Sequence, residues 1–116
     1  MQKKLTEKLI EFRNERDWNQ FHDSKNLAVA LSLEAAELLE LFLWSKDGNL
    51  PQGKGDELKE EVADVFAYLL LIAHKHGLNL EDITLDKIAK NAAKYTAKVA
   101  EINLLQLTGQ LLNVEF

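Results

Sequence analysis

The chain has 116 residues, 47% of them hydrophobic, a net charge of -5 and no cysteine. One domain of this composition is too apolar for a disordered chain and too acidic for a general nucleic-acid-binding surface, although a bound metal can still draw in a small anion. The missing cysteine excludes a disulfide framework, a thiolate metal site and a cysteine nucleophile.

The first helix is expected from about Gln2 to Asp17, with Leu5, Leu9 and Phe12 on one face. Its charged start, Met1-Gln2-Lys3-Lys4, is unlike a signal peptide, and no apolar run approaches the roughly 20 residues of a membrane span. A soluble cytoplasmic protein that binds neither nucleic acid nor membrane is the expectation. Trp18 to His22 reads as a loop, with Asp23 or Ser24 as the next N-cap.

The second helix is expected from about Lys25 to Trp44. Leu27 to Leu31, Leu33, Leu38, Leu39 and Leu41 to Trp44 cover nearly every face of it. A helix apolar all round is buried on all sides. Four helices of this size do not surround it, so neighbouring subunits are expected to, and the chain is expected to form a homo-oligomer. Ser45 to Asp56 holds three glycines and the one proline and reads as a loop. The third helix runs from about Glu57 to His76, with Gly77 as its stop. The fourth begins near Asn79 or Leu80 and continues to about Ala97, its stripe made of Ile83, Ile88, Ala92 and Tyr95. These elements give an all-α, four-helix domain over residues 1–100. The tail, 101–116, carries Leu104, Leu105, Leu107, Leu111 and Leu112 and is expected to dock on its own subunit or a neighbour.

Acids interrupt the two apolar helices at regular spacing. Glu34, Glu37 and Glu40 recur every three residues, so Glu34 and Glu37 share a face. By themselves they fit a narrow solvent-facing stripe equally well. In the third helix Glu57, Glu61, Asp64 and Tyr68 are spaced four, three and four. Asp64 sits within an otherwise apolar run, where an unpaired charge is costly. Two antiparallel neighbours bring the pairs Glu34/Glu37 and Glu61/Asp64 together. Four close carboxylates repel unless something positive sits among them. Hard oxygen ligands suit Mg²⁺ or Mn²⁺. The alternative is a structural salt-bridge cluster, but the central parts of both helices lack Lys and Arg. A di-iron bundle needs Glu-x-x-His pairs, which are absent; His74 and His76 are read as solvated or capping.

Leu33-Glu34-Ala35-Ala36-Glu37 followed by Glu60-Glu61-Val62-Ala63-Asp64 resembles the MazG superfamily of all-α nucleoside triphosphate pyrophosphohydrolases. It is most similar to the deoxycytidine triphosphate pyrophosphatase branch. Arg16-Asp17-Trp18-Asn19-Gln20-Phe21-His22 resembles the segment before that family's second helix, and Lys87, Asn91, Lys94 and Tyr95 resemble its fourth-helix pattern. The resemblance covers roughly residues 5–97. Two positions depart from it: Leu33 stands where many members have Glu, and Thr96 follows Tyr95 where relatives often have Pro.

The resemblance implies Mg²⁺ held by Glu34, Glu37, Glu61 and Asp64. It also implies water attack on the α-phosphorus, yielding a nucleoside monophosphate and pyrophosphate, in a tetramer built as a dimer of dimers. Glu34 and Glu37 are the candidate catalytic bases, with Glu60 or Glu40 as outsiders. A base can be held between aromatic rings. The resemblance makes Trp18, His22, Trp44 and Tyr68 nucleotide contacts, while Phe21 is assigned to the core. Asn91 offers both a donor and an acceptor. Lys87, Lys90 and Lys94 either meet phosphates or form a solvated face. A phosphoribosyl-ATP pyrophosphohydrolase explains the acids equally well; a non-enzymatic oligomeric scaffold explains the apolar helices but not Asp64.

Overall fold

The structure is a computed structural model that describes residues 1–95. Within them the elements are all helical: α1 (Gln2–Glu15), a 3₁₀ turn (Trp18–Phe21), α2 (Ser24–Glu40), α3 (Gly55–Lys75) and α4 (Leu80–Tyr95). The chain divides into two compact units between Asn79 and Leu80.

In the first unit α3 is central, with α2 packed on it most extensively and α1 beside it. The apolar centre is Leu27 of α2 with Leu70, Leu71 and Ala73 of α3. Burying a leucine fully contributes about 1.5–3 kcal/mol. α1 turns Thr6 inward and leaves Leu9, Ile10 and Arg13 half-buried, whereas Leu5 and Phe12 of the expected apolar face are exposed. It stops two residues before the expected Asp17. Arg16 donates from Nη1 to the Phe12 carbonyl at 3.0 Å and lies 3.6 Å over the Phe12 ring. Asp17 then turns left-handed at φ 56°, which ends the helical run. The segment expected as plain loop tightens into the 3₁₀ turn, where Gln20 Nε2 donates to the Asp17 carbonyl at 3.1 Å.

Of the two expected caps, Asp23 is the one used: its Oδ1 accepts the Asn26 N–H at 2.7 Å. α2 ends at Glu40, four residues short of Trp44. Beyond it the backbone winds more tightly, with Phe42 N–H donating to Leu39 O and Ser45 N–H to Phe42 O, each at 2.9 Å. Its side chains depart further from expectation. Leu27 is fully buried, yet Leu33, Leu39 and Leu43 are 61%, 58% and 51% exposed. The described residues of one chain do not supply the all-round burial that the apolar pattern implies.

α3 begins at Gly55, two residues earlier than expected, with Asp56 and Glu57 in its first turn. There they face the positive end of the helix dipole. Gly77 stops it as expected. With φ at 64° it lets Leu78 N–H reach Ala73 O at 2.8 Å and its own N–H reach His74 O at 3.3 Å. The second unit contains α4, which opens on Leu80 with Glu81 and Asp82 in its first turn and carries Lys94 in its last. Its expected stripe residues Ile83 and Ile88 are 40% and 47% exposed. The expected continuation to Ala97 and the tail lie outside the described residues. No helix among the described residues is long and apolar enough to cross a membrane.

Candidate active site

Two ties set the register of α2 against α3. Ser24 Oγ lies 3.0 Å from His76 Nε2, and Lys75 Nζ donates to the His22 carbonyl at 3.2 Å. The start of α2 therefore meets the end of α3, and the helices run antiparallel. At 1.5 Å per residue Glu34 lies roughly 15 Å along α2 from Ser24, and Asp64 roughly 18 Å back along α3 from His76. The acids must meet near mid-helix, and they do. Glu34, Glu61 and Asp64 each offer an oxygen within 4.8 Å of the others.

The cluster is electrostatically unrelieved. Glu34 and Glu61 are half-buried. Their Oε2 atoms are enclosed yet have no hydrogen-bond partner. Burial, then the neighbouring Glu37, then Asp64 and Glu61, push the Glu34 carboxyl up to about 7. Burial and Glu37, followed by Asp64 and Glu60, raise Glu61 as well. Among the described residues the ion pairs are Arg16–Glu15 at 3.5 Å and Lys54–Glu57 at 3.2 Å, and neither touches these acids. The salt-bridge alternative is therefore not what the described side chains form. Three converging carboxylates, two of them with an enclosed, unpartnered oxygen, fit a hard divalent cation. Glu37 stands outside the group of three but acts electrostatically on two of its members. It borders a cleft of about 370 Å³ with Glu40, Leu41, Lys54, Glu57 and Glu61.

A second cavity of about 460 Å³ opens beside the acids, between α1, the 3₁₀ turn and α3. Trp18, His22 and Tyr68 line it together with Asp64, so one acid of the cluster forms part of its wall. The Phe12 and Trp18 rings meet edge to face with centroids 5.5 Å apart, and His22 meets Tyr68 in the same manner at 6.3 Å. Burial, with the nearby charges of Arg13 and Lys75, lowers His22. Burial, with the carboxylates of Glu34 and Asp64, raises Tyr68. The sequence reading placed Leu5, Leu9 and Phe12 on one face of α1 without assigning that face to a pocket. It also passed over Arg13, one turn beyond Leu9 on the same wall. The four-residue spacing of Leu5, Leu9 and Arg13 was the available signal.

Other expected contacts stand apart. Trp44 is 88% exposed and Phe21 60% exposed, so neither is core. Phe21 belongs to a surface turn whose carbonyl accepts the Asn26 side chain at 2.9 Å, which fixes the backbone there and leaves the ring outside. Lys87, Asn91 and Lys94 lie on α4, in the second unit. The two lysines are exposed, with Lys94 Nζ 5.3 Å from the Tyr95 ring centroid. Asn91 Nδ2 is enclosed without a hydrogen-bond partner.

This arrangement has counterparts among known proteins. Residues 29–103 match the model of the MazG-like family. The chain is 42% identical over 95 residues to dCTP pyrophosphatase 1 of Homo sapiens, covering 78% of this chain and 56% of that protein. It is 38% identical over 90 residues to dCTP pyrophosphatase 1 of Mus musculus, covering 73% of this chain and 53% of that one. The chain thus spans about half the length of the curated relatives it matches. A crystal structure of a pyrophosphatase from Archaeoglobus fulgidus superposes with a TM-score of 0.68 at 37% identity, covering 80% of this chain and 90% of the other. The acid pairs on α2 and α3 fall within the matched segment, and on these grounds the chain belongs to the MazG-like family.

Proposed function

We propose that the protein is a Mg²⁺-dependent nucleoside triphosphate pyrophosphohydrolase. It converts deoxynucleoside triphosphates, with deoxycytidine triphosphate among the better substrates, to the monophosphate and pyrophosphate, and so cleans the nucleotide pool of the cytoplasm. The observation that carries this reading is the cluster of Glu34, Glu61 and Asp64 beside a cavity lined by aromatic rings, whose wall Asp64 shares. The activities for which the relatives are named point the same way.

Glu34, Glu61 and Asp64 would hold the cation, with Glu37 completing the set or standing next to it. Mg²⁺ so held supplies charge neutralisation at the phosphates and makes a bound water more acidic. The chain's own residues do the rest. Trp18, His22 and Tyr68 hold the base and exclude water from it. A carboxylate beside the attacking water takes its proton. Between the two candidates Glu37 suits that role better, because a cation on the Glu34 oxygens lowers their affinity for a proton. Trp44, Lys87, Asn91 and Lys94 are assigned to the substrate as well, with the lysines toward the outer phosphates.

Assembly belongs to the same reading. The exposed leucines of α2 are covered by other copies of the chain in a homotetramer, a dimer of dimers. A panel of nucleoside triphosphates and phosphoribosyl-ATP, assayed for pyrophosphate release with and without a chelator, tests the activity. Release of orthophosphate would exclude attack at the α-phosphorus. Turnover of phosphoribosyl-ATP alone would select that alternative, and no turnover of any of them would leave a helical scaffold.

A further inference from the structure

The acid cluster lies between two openings. Asp64 forms part of the wall of the aromatic cavity, while Glu61 lines the cleft between α2 and α3 together with Glu37, Lys54 and Glu57. Along α3 the order is Glu57, Glu61, Asp64, Tyr68, spaced four, three and four on one face. At 1.5 Å per residue that face runs roughly 16 Å from the cleft to the aromatic rings. A nucleotide whose base meets Tyr68, and whose phosphates follow a cation held at Glu34, Glu61 and Asp64, continues toward Glu57. Its α-phosphorus then stands over the cluster and its outer phosphates enter the cleft.

Among the described residues that line this cleft Lys54 alone is cationic. Its Nζ lies 3.2 Å from Glu57 Oε1, the two side chains being 45% and 53% exposed. An exposed pair of this kind contributes little, so the ammonium is readily passed to a stronger partner. Phosphate oxygens are such a partner, and an ammonium meets them as a point charge without a fixed geometry. The carboxylates of the cleft oppose a bare anion, so the anion is taken with its own Mg²⁺. Lys54 also belongs to the same unit as the acids, whereas Lys87 and Lys94 lie on α4 in the other.

Resting on the nucleotide reading above, we propose that Lys54 is a substrate-binding residue that leaves Glu57 and takes the leaving pyrophosphate, which makes the cleft the outer-phosphate end of the site. Attack at the α-phosphorus forms a bond to the water oxygen and breaks the bond to the oxygen bridging the α- and β-phosphates. The water gives its proton to the carboxylate beside it, and the electron pair of the broken bond departs on pyrophosphate. The ammonium stands where that charge develops.

Titration calorimetry of inorganic pyrophosphate on the full chain with Mg²⁺ tests this without turnover, and deoxycytidine monophosphate probes the other half of the site. Lys54→Gln should weaken pyrophosphate about tenfold or more and the monophosphate less than about twofold. Lys54→Arg keeps the charge and should bind pyrophosphate within about threefold of the unaltered protein. Glu57→Gln breaks the same ion pair but frees the ammonium, so pyrophosphate should bind as tightly or more tightly. Thermal melts check that each variant is folded. Equal weakening in Lys54→Gln and Glu57→Gln would make the pair a support for the start of α3 and overturn the proposal. Equal loss of both probes in Lys54→Gln would overturn it too, as would an unaltered protein that does not bind pyrophosphate. Unchanged or tighter pyrophosphate in Lys54→Gln would do the same, tighter binding meaning that a second cation occupies the cleft. A protein that binds pyrophosphate through Lys54 but hydrolyses no triphosphate refutes the activity proposed above and leaves the role of Lys54 standing.

Discussion

Replacing Glu34 by Gln should stabilise the protein without metal, and the gain should depend on pH. Glu34 moves from its ordinary value of 4.5 to about 7 because burial and three neighbouring carboxylates oppose its charge. A carboxyl whose folded value is raised contributes stability that is fully present below 4.5 and lost as pH rises through about 7. If the whole interval counted, ionising Glu34 would cost the fold about 3 kcal/mol at pH 8. Glu34 is only half-buried, and solvent screens part of the repulsion, so about 1–2 kcal/mol is the sounder expectation. Gln keeps the shape and removes the charge. At pH 8 the variant should melt roughly 5–10 °C higher than the unaltered chain. Near pH 4 the two should melt together, since Glu34 is then protonated. Millimolar Mg²⁺ at pH 8 should raise the melting temperature of the unaltered chain and do little for the variant. Thermal denaturation at fixed protein concentration reads all of these. A variant less stable at pH 8, or a difference independent of pH, would refute the account of repulsion in the cluster.

Asp64→Asn should remove most pyrophosphate release and the dependence on Mg²⁺ while far-ultraviolet circular dichroism stays unchanged; full activity with unaltered metal dependence would remove Asp64 from the site. Leu33→Glu places a charge on the exposed face of α2, where Leu33 is 61% exposed. Sedimentation should show a smaller species than the unaltered chain forms, and a variant assembled as before would put the contact elsewhere. Gly77→Ala should cost about 1–2 kcal/mol by chemical denaturation, purely from the left-handed backbone at φ 64°, since a Cβ there meets nothing within 4 Å. A neutral result would mean that the α3 terminus relaxes to another conformation.

The helices and their punctuation were legible because they depend on local chemistry. Asp23 caps α2 and Gly77 stops α3 for reasons contained in a few neighbouring residues. The acid spacing was equally legible: 34/37 and 61/64 put each pair on one helical face whatever the tertiary arrangement. Helix ends were less so. The expected Asp17 and Trp44 termini gave way to Glu15 and Glu40, because a left-handed residue and a tighter winding, both cheap in sequence terms, ended the runs.

What only the tertiary structure decided is which faces meet. Apolar character does not say whether a side chain is covered: among the described residues Leu27 is, while Leu33 and Trp44 are not. Equal spacing likewise could not say that Glu34, Glu61 and Asp64 converge while Glu37 stays at their edge, since that depends on the rotation of α2 against α3. Arg13 looked like one more charge on an amphipathic helix. The return of the chain through the 3₁₀ turn set Trp18 and His22 on the same cavity wall and left its Nε enclosed without an acceptor. Burial and electrostatic coupling are pairwise properties of distant residues, and a one-dimensional pattern carries the identities of those residues but not the distances between them.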